Sequence, residues 1–183
     1  MKKIIITGVA GFIAKKIAQK IDKNKYEVIG IDINNDRKNK YNDYEFLKID
    51  FLNEINISKL PTDIHAILHL GGQSSGEKSF ENPFNDLRRN FITTHNLIEF
   101  SKKNSIKNFF YASSMSVYGN EANRAKIKDF CKPLSFYGMH KKLSEDYIIL
   151  NKKYLNFTIF RMFNVYGPGQ NLIDDKQGMV SIY

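Results

Sequence analysis

The sequence predicts an α/β domain built on a doubly wound parallel sheet with helices on both faces. Short, near-continuous apolar runs alternate with helical patterns from the first residue onward. The runs are rich in β-branched residues and apolar at nearly every position, as strands covered on both faces must be. A glycine-bearing turn joins the first run to the first helix.

Taken in order, Lys3 to Ile6 is the first strand, and Ile13, Ile17 and Ile21 then recur at helical spacing with Ala14 and Ala18 beside them. Tyr26 to Ile31, Tyr44 to Ile49 and Ile64 to Leu70 are the second, third and fourth strands, each bounded by polar or turn-forming residues. Glu77 to Pro83 reads as a loop and helix start, facing substrate or solvent. Phe91, Leu97 and Ile98 fit a long helix. Ile106 to Tyr111 is the fifth strand, Leu143 to Leu150 belongs to a further helix, and Asn156 to Phe160 is the sixth strand. This alternation implies right-handed crossovers. Residues 1–166 therefore read as one domain with no internal repeat or linker. Beyond it, VYGPGQNLIDDKQG is turn-rich, and GMVSIY begins an apolar pattern too short to stabilise a helix. Residues 167–183 read as the start of a truncated substrate-binding region, a small C-terminal domain mostly missing.

Composition excludes several classes. With 183 residues, 42% hydrophobic and 26% charged, the chain suits one ordinary domain, not a disordered tail, a collagen or a disulfide scaffold. Cys131 has no partner for a disulfide, which points to a cytoplasmic protein. The net charge is +9, but only Arg37, Arg88, Arg89, Arg124 and Arg161 are arginine, and the lysines are scattered. A nucleic-acid surface clusters its charge and uses arginine for phosphates and base edges, so no nucleic-acid partner is expected. No apolar run reaches the ~18 residues that span a bilayer. The start, MKKIIITGVAGFIA, has the outline of a signal peptide, but Thr7, Gly8 and Gly11 interrupt it and Lys15 and Lys16 follow. His65 and His69 alternate without metal-ligand partners, so no metal site is expected.

Three motifs carry chemistry. In TGVAGFIA, Thr7 to Ala14, the glycines let backbone N–H groups approach a pyrophosphate at a helix N-terminus. Asp32 ends the second strand about 20 residues on, where a carboxylate bonds ribose hydroxyls and repels a 2′-phosphate, so NAD is favoured over NADP. Arg37 and Lys38 nearby read as a solvated loop. In YGMHK, Tyr137 and Lys141 share one helix face, and the lysine ammonium favours the tyrosine phenolate. His140, between them, is expected to point away. In ASSMSVYG, after the fifth strand, a hydroxyl of Ser114 or Ser116 can bond a substrate oxygen and share its proton with the tyrosine. All three stand, with Asp32, at strand ends where a dinucleotide site needs them.

Together these residues resemble the NAD-dependent epimerase/dehydratase family of extended short-chain dehydrogenases/reductases, over essentially the whole chain. The resemblance implies a Rossmann-type sheet. It also implies that Gly8, Gly11, Phe12 and Ile13 form the pyrophosphate loop, that Asp32 is the ribose carboxylate, and that Asp50 and Phe51 lie near adenine. Leu70, Gly71, Gly72 and Gln73 (HLGGQ) resemble the family's loop under the cofactor, and Asn90 its helix asparagine. The family pattern selects Ser114 as the catalytic hydroxyl, beside Tyr137 as acid/base and Lys141 as its partner, both also holding the nicotinamide ribose. In RMFNVYGPG, Asn164 resembles the residue near a substrate phosphate, and Phe163 and Val165 those beside the nicotinamide.

The family's 4,6-dehydratases carry Asp-Glu directly after the Ser/Thr; here Met115 and Ser116 stand there, which turns the expectation from elimination to epimerisation. The leading expectation is a UDP-sugar 4-epimerase using tightly bound NAD. Against it stand a fragment that binds NAD without turnover and a related nucleotide-sugar oxidoreductase. A homodimer through the helices bearing NLIEF and YGMHK is implied by the resemblance.

Overall fold

The structure, a computed structural model, describes residues 1–34 and 44–170, with backbone alone for residues 54–55 and 121–123. Arg37, Lys38 and the GMVSIY segment lie outside the described residues.

Six parallel strands form one sheet: β1 Lys2–Thr7, β2 Tyr26–Asp32, β3 Glu45–Lys48, β4 Ala66–His69, β5 Asn108–Ser114 and β6 Asn156–Met162. Their spatial order is β3-β2-β1-β4-β5-β6, with the order reversing at β1. A crevice must open there between the loops at the carboxyl ends of the strands. Helices α1 Phe12–Lys20, α2 Glu54–Ile57, α3 Gly76–Glu81, α4 Pro83–Leu87, α5 Thr93–Lys103 and α6 Phe136–Leu150 connect them.

The strand side chains alternate between two cores. On β1, Ile5 enters one with Ile29, Ile67, Phe109, Leu97 and Ile148, beneath α5 and α6. Ile4 and Ile6 enter the other with Val28, Ala14 and Ala18, beneath α1. Both faces of β1 are thus buried, which explains its unbroken apolar run. Helix α1 meets the sheet through alanines, while Ile17 and Ile21 are only partly buried. That small contact face lets the backbone start of α1 sit close over the strand ends. Among the described residues, no helix is long and apolar enough to cross a membrane.

Two segments differ from the sequence expectation. Glu77 to Pro83 is helical: Ser75 caps α3 by accepting from Lys78 N–H at 3.2 Å, and Asn82 caps α4 by accepting from Asn85 N–H at 2.9 Å, with Pro83 in its first turn. The expected long helix contains a π-helical turn, Arg88–Ile92, between α4 and α5. Thr93 and Thr94 follow it, their hydroxyls donating to the carbonyls of Arg89 (2.8 Å) and Asn90 (2.6 Å). Side-chain donors thereby serve carbonyls in the widened turn, as is frequent near functional sites.

Candidate active site

A cleft of about 970 Å³ runs across the carboxyl ends of the strands. Every candidate site residue from the sequence lines it except Asn90.

At its centre, Gly8 has φ +73°, and a Cβ there would lie 2.7 Å from Gly71 Cα. Only glycine lets these two loops touch backbone to backbone. Gly11 starts α1 without a side-chain cap, and the first turn holds no acidic residue. The helix N-terminus therefore presents free N–H groups and positive potential to the cleft. Asp32 lies beside this loop, accepting from Ala10 N–H at 3.0 Å and Asn34 N–H at 2.9 Å.

Thr7 and His69 lock the two loops together. The Thr7 Oγ1 accepts from Leu70 N–H at 3.1 Å and Gly71 N–H at 2.9 Å, and lies 2.8 Å from His69 Nδ1. His69 Nε2 lies 3.0 Å from Thr94 Oγ1, whose proton is committed to Asn90 O. The hydroxyl of Thr94 can then only accept from His69, so Nε2 carries the proton and Nδ1 accepts from Thr7. Burial first, then the charge of Lys141, pushes the His69 pKa down to about 3, which keeps the ring neutral.

Beyond β3, Asp50 is held by Arg89, whose Nη1 lies 2.9 and 3.0 Å from its two oxygens, and by Leu52 N–H at 3.0 Å. Phe51 is buried beside it. Arg89, which the sequence reading passed over, reaches the cleft from the π turn.

At β5, Ser114 Oγ donates to Ser116 Oγ and accepts from Ser116 N–H, both at 3.1 Å. Ser113 is instead bonded to Glu145, which also pairs with Arg161 at 2.7 Å behind the sheet. Helix α6 reaches the serine loop because Gly138 has no side chain: a Cβ there would lie 2.6 Å from Ser116 O. Ser135 caps this helix, accepting from Gly138 N–H at 3.1 Å. Lys141 is buried, its Nζ donating to Ala112 O at 2.9 Å and lying 5.7 Å from the Tyr137 ring centre. Burial brings its pKa down to about 8 against the opposing pull of Asp86 and Glu145. The expectation of an acidified tyrosine is not met by the protein alone. Burial raises the Tyr137 pKa, opposed by a hydrogen bond with Ser114 and aided by the charge of Asp86. Phe163, Asn164 and Val165 stand exposed along the cleft after β6.

Two residues sit differently from their sequence reading. The Gln73 amide turns inward, donating to Ser75 O and Asp86 Oδ1, both at 2.7 Å, although the residue still lines the cleft. Asn90 is buried beneath the loop, where a Cβ on Gly72 would meet its Oδ1 at 2.6 Å. It supports the Gly71–Gln73 loop from below. Asp86, to which both donate, was missed, although it stands four residues before Asn90 on the same helical face.

A 3-2-1-4-5-6 parallel sheet with a glycine turn after β1 and a carboxylate at the end of β2 defines the class of dinucleotide-binding domains. The chain belongs to the NAD dependent epimerase/dehydratase family, whose model matches residues 4–182. It is 33% identical to a putative UDP-glucose 4-epimerase of Methanocaldococcus jannaschii, covering 98% of this chain and 61% of that protein. It is also similar to the UDP-glucose 4-epimerase of Thermotoga maritima solved with UDP-glucose, with TM-score 0.88, 29% identity and coverage of 98% and 61%. The Thermus thermophilus UDP-glucose 4-epimerase in complex with NAD gives TM-score 0.86, 26% identity and coverage of 98% and 60%. The chain thus spans about three fifths of the length of these proteins. The family and its solved structures bind NAD.

Proposed function

We propose that this chain binds NAD in the cleft and carries the proton-transfer residues of a UDP-sugar 4-epimerase. The carrying observation is that one cleft joins Asp32 at the end of β2 to Ser114, Tyr137 and Lys141 three strands away. Three inter-strand steps of ~4.8 Å give about 14 Å, a span for an extended dinucleotide. The glycine contact at Gly8 leaves room for a pyrophosphate, and the uncapped α1 N-terminus attracts it. Asp32 would accept from the ribose hydroxyls, and Tyr137 and Lys141 would hold the nicotinamide ribose.

NAD, when bound, supplies the hydride acceptor and donor. Tyr137 takes the proton of the sugar C4 hydroxyl in one half-reaction and returns it in the other. Ser114 bonds the same oxygen, and the Lys141 ammonium supplies the positive charge that a buried tyrosinate needs. Asn164, exposed along the cleft after β6, would meet a substrate phosphate. Met115 and Ser116 offer no second carboxyl pair, which supports epimerisation over elimination. A cytoplasmic homodimer through α5 and α6 is part of this reading, and exposed Met139 and Leu143 support an interface on α6.

In a turnover assay with UDP-glucose and UDP-galactose, Tyr137→Phe abolishes epimerisation while NAD affinity stays within about threefold. Undiminished turnover in this variant contradicts the assignment. A second reading, an NAD-binding unit without turnover of its own, is favoured by the burial that raises the Tyr137 pKa. Calorimetric response to NAD with none to UDP-sugars would select it.

A further inference from the structure

Behind the cleft lies a buried carboxylate that the proposed chemistry does not use. Asp86 is 1% exposed and accepts three hydrogen bonds from three separate elements. His140 Nδ1 of α6 lies 2.6 Å from Oδ2; Gln73 Nε2 of the loop after β4 lies 2.7 Å from Oδ1; and Asn90 Nδ2 of the π turn lies 3.1 Å from Oδ1. His140 is itself 4% exposed, so the pair is shielded from water. His140 is thus a bonded interior group of α6 rather than a surface one.

A carboxylate this deep is tolerated only while donors satisfy it, and removing one leaves an under-bonded buried charge. Each donor here is adjacent to the nicotinamide end of the cleft. Gln73 sits in the Gly71–Gln73 loop, Asn90 beneath Gly72, and His140 directly before Lys141. We propose that Asp86 and His140 form a latch that positions α6, and with it Tyr137 and Lys141, against the loop after β4. The latch rests on the NAD-binding reading above. It acts on the cofactor through placement: Asp86 touches no cleft-lining surface of its own. Its negative charge also helps keep Lys141 protonated against the cost of burial.

The test compares two probes on the full chain by calorimetry: NAD, and ADP, which lacks both the nicotinamide and the ribose that Tyr137 and Lys141 would hold. His140→Leu removes the donor and weakens NAD about tenfold, the scale of one lost hydrogen bond to a charge. ADP affinity stays within about twofold. His140→Asn, whose amide can reach the place of Nδ1, recovers most of the NAD affinity. If His140→Leu does not fold, Gln73→Met removes another donor and gives the same NAD-selective loss. Equal losses for both probes, or no loss for either, overturn the latch while leaving NAD binding intact. Failure of the unsubstituted chain to bind either probe overturns the cofactor reading, and the latch with it.

Discussion

Among single residues, His69 makes the sharpest claim because its hydrogen bonds are fully accounted for. Its neutral Nε2–H form bridges Thr7 and Thr94, and its folded pKa of about 3 lies below the ordinary 6.5. Between those values the unfolded chain binds a proton that the folded chain refuses, so this residue makes stability fall as pH drops through that window. One proton contributes at most about 1.4 kcal/mol per pH unit. Denaturant midpoints measured from pH 7 to pH 5 are expected to decline, and nitrogen NMR is expected to show His69 unprotonated at Nδ1 throughout. A ring that titrates near pH 6.5 contradicts the bridge. The sequence showed His69 without metal-ligand partners but could not show its bridging role: Thr7 and Thr94 lie 62 and 25 residues away.

At the scale of elements, the strands and the first turn were legible because their signals are local. Apolar runs bounded by turn residues specify a buried parallel strand, and the glycines after β1 specify a tight turn. The π turn was not legible, since its cause is distributed over Thr93, Thr94 and the loop above it. Helices α3 and α4 could have been read from their caps, Ser75 and Asn82–Pro83. The approach of α6 depends on Gly138, whose missing side chain is invisible to helix periodicity. Gly138→Ala sets two effects against each other: about 1 kcal/mol of gained helix propensity and about 1–3 kcal/mol of overpacking. Here the obstacle is the backbone oxygen of Ser116, with Pro133 Cβ 3.0 Å away, so overpacking wins. Thermal unfolding of Gly138→Ala is expected several degrees below that of the parent chain, and an unchanged or higher midpoint contradicts the close approach.

For the whole molecule, the sheet order converts scattered motifs into one surface. Residues from Gly8 to Val165 meet along the cleft because β1, β2, β4, β5 and β6 all end on the same side. The sequence order of the motifs already implied this convergence; the inward turn of Gln73 and the burial of Asn90 and Asp86 did not follow from it, because side-chain direction depends on long-range partners. The +9 net charge gives the molecule a positive field that favours the approach of an anionic ligand. Calorimetric titration of the chain with NAD and with NADP tests the central claim most directly. Asp32, fixed by Ala10 and Asn34 N–H groups, predicts one NAD per chain and at least tenfold weaker NADP. No saturable NAD binding, or NADP bound as tightly as NAD, would contradict the account.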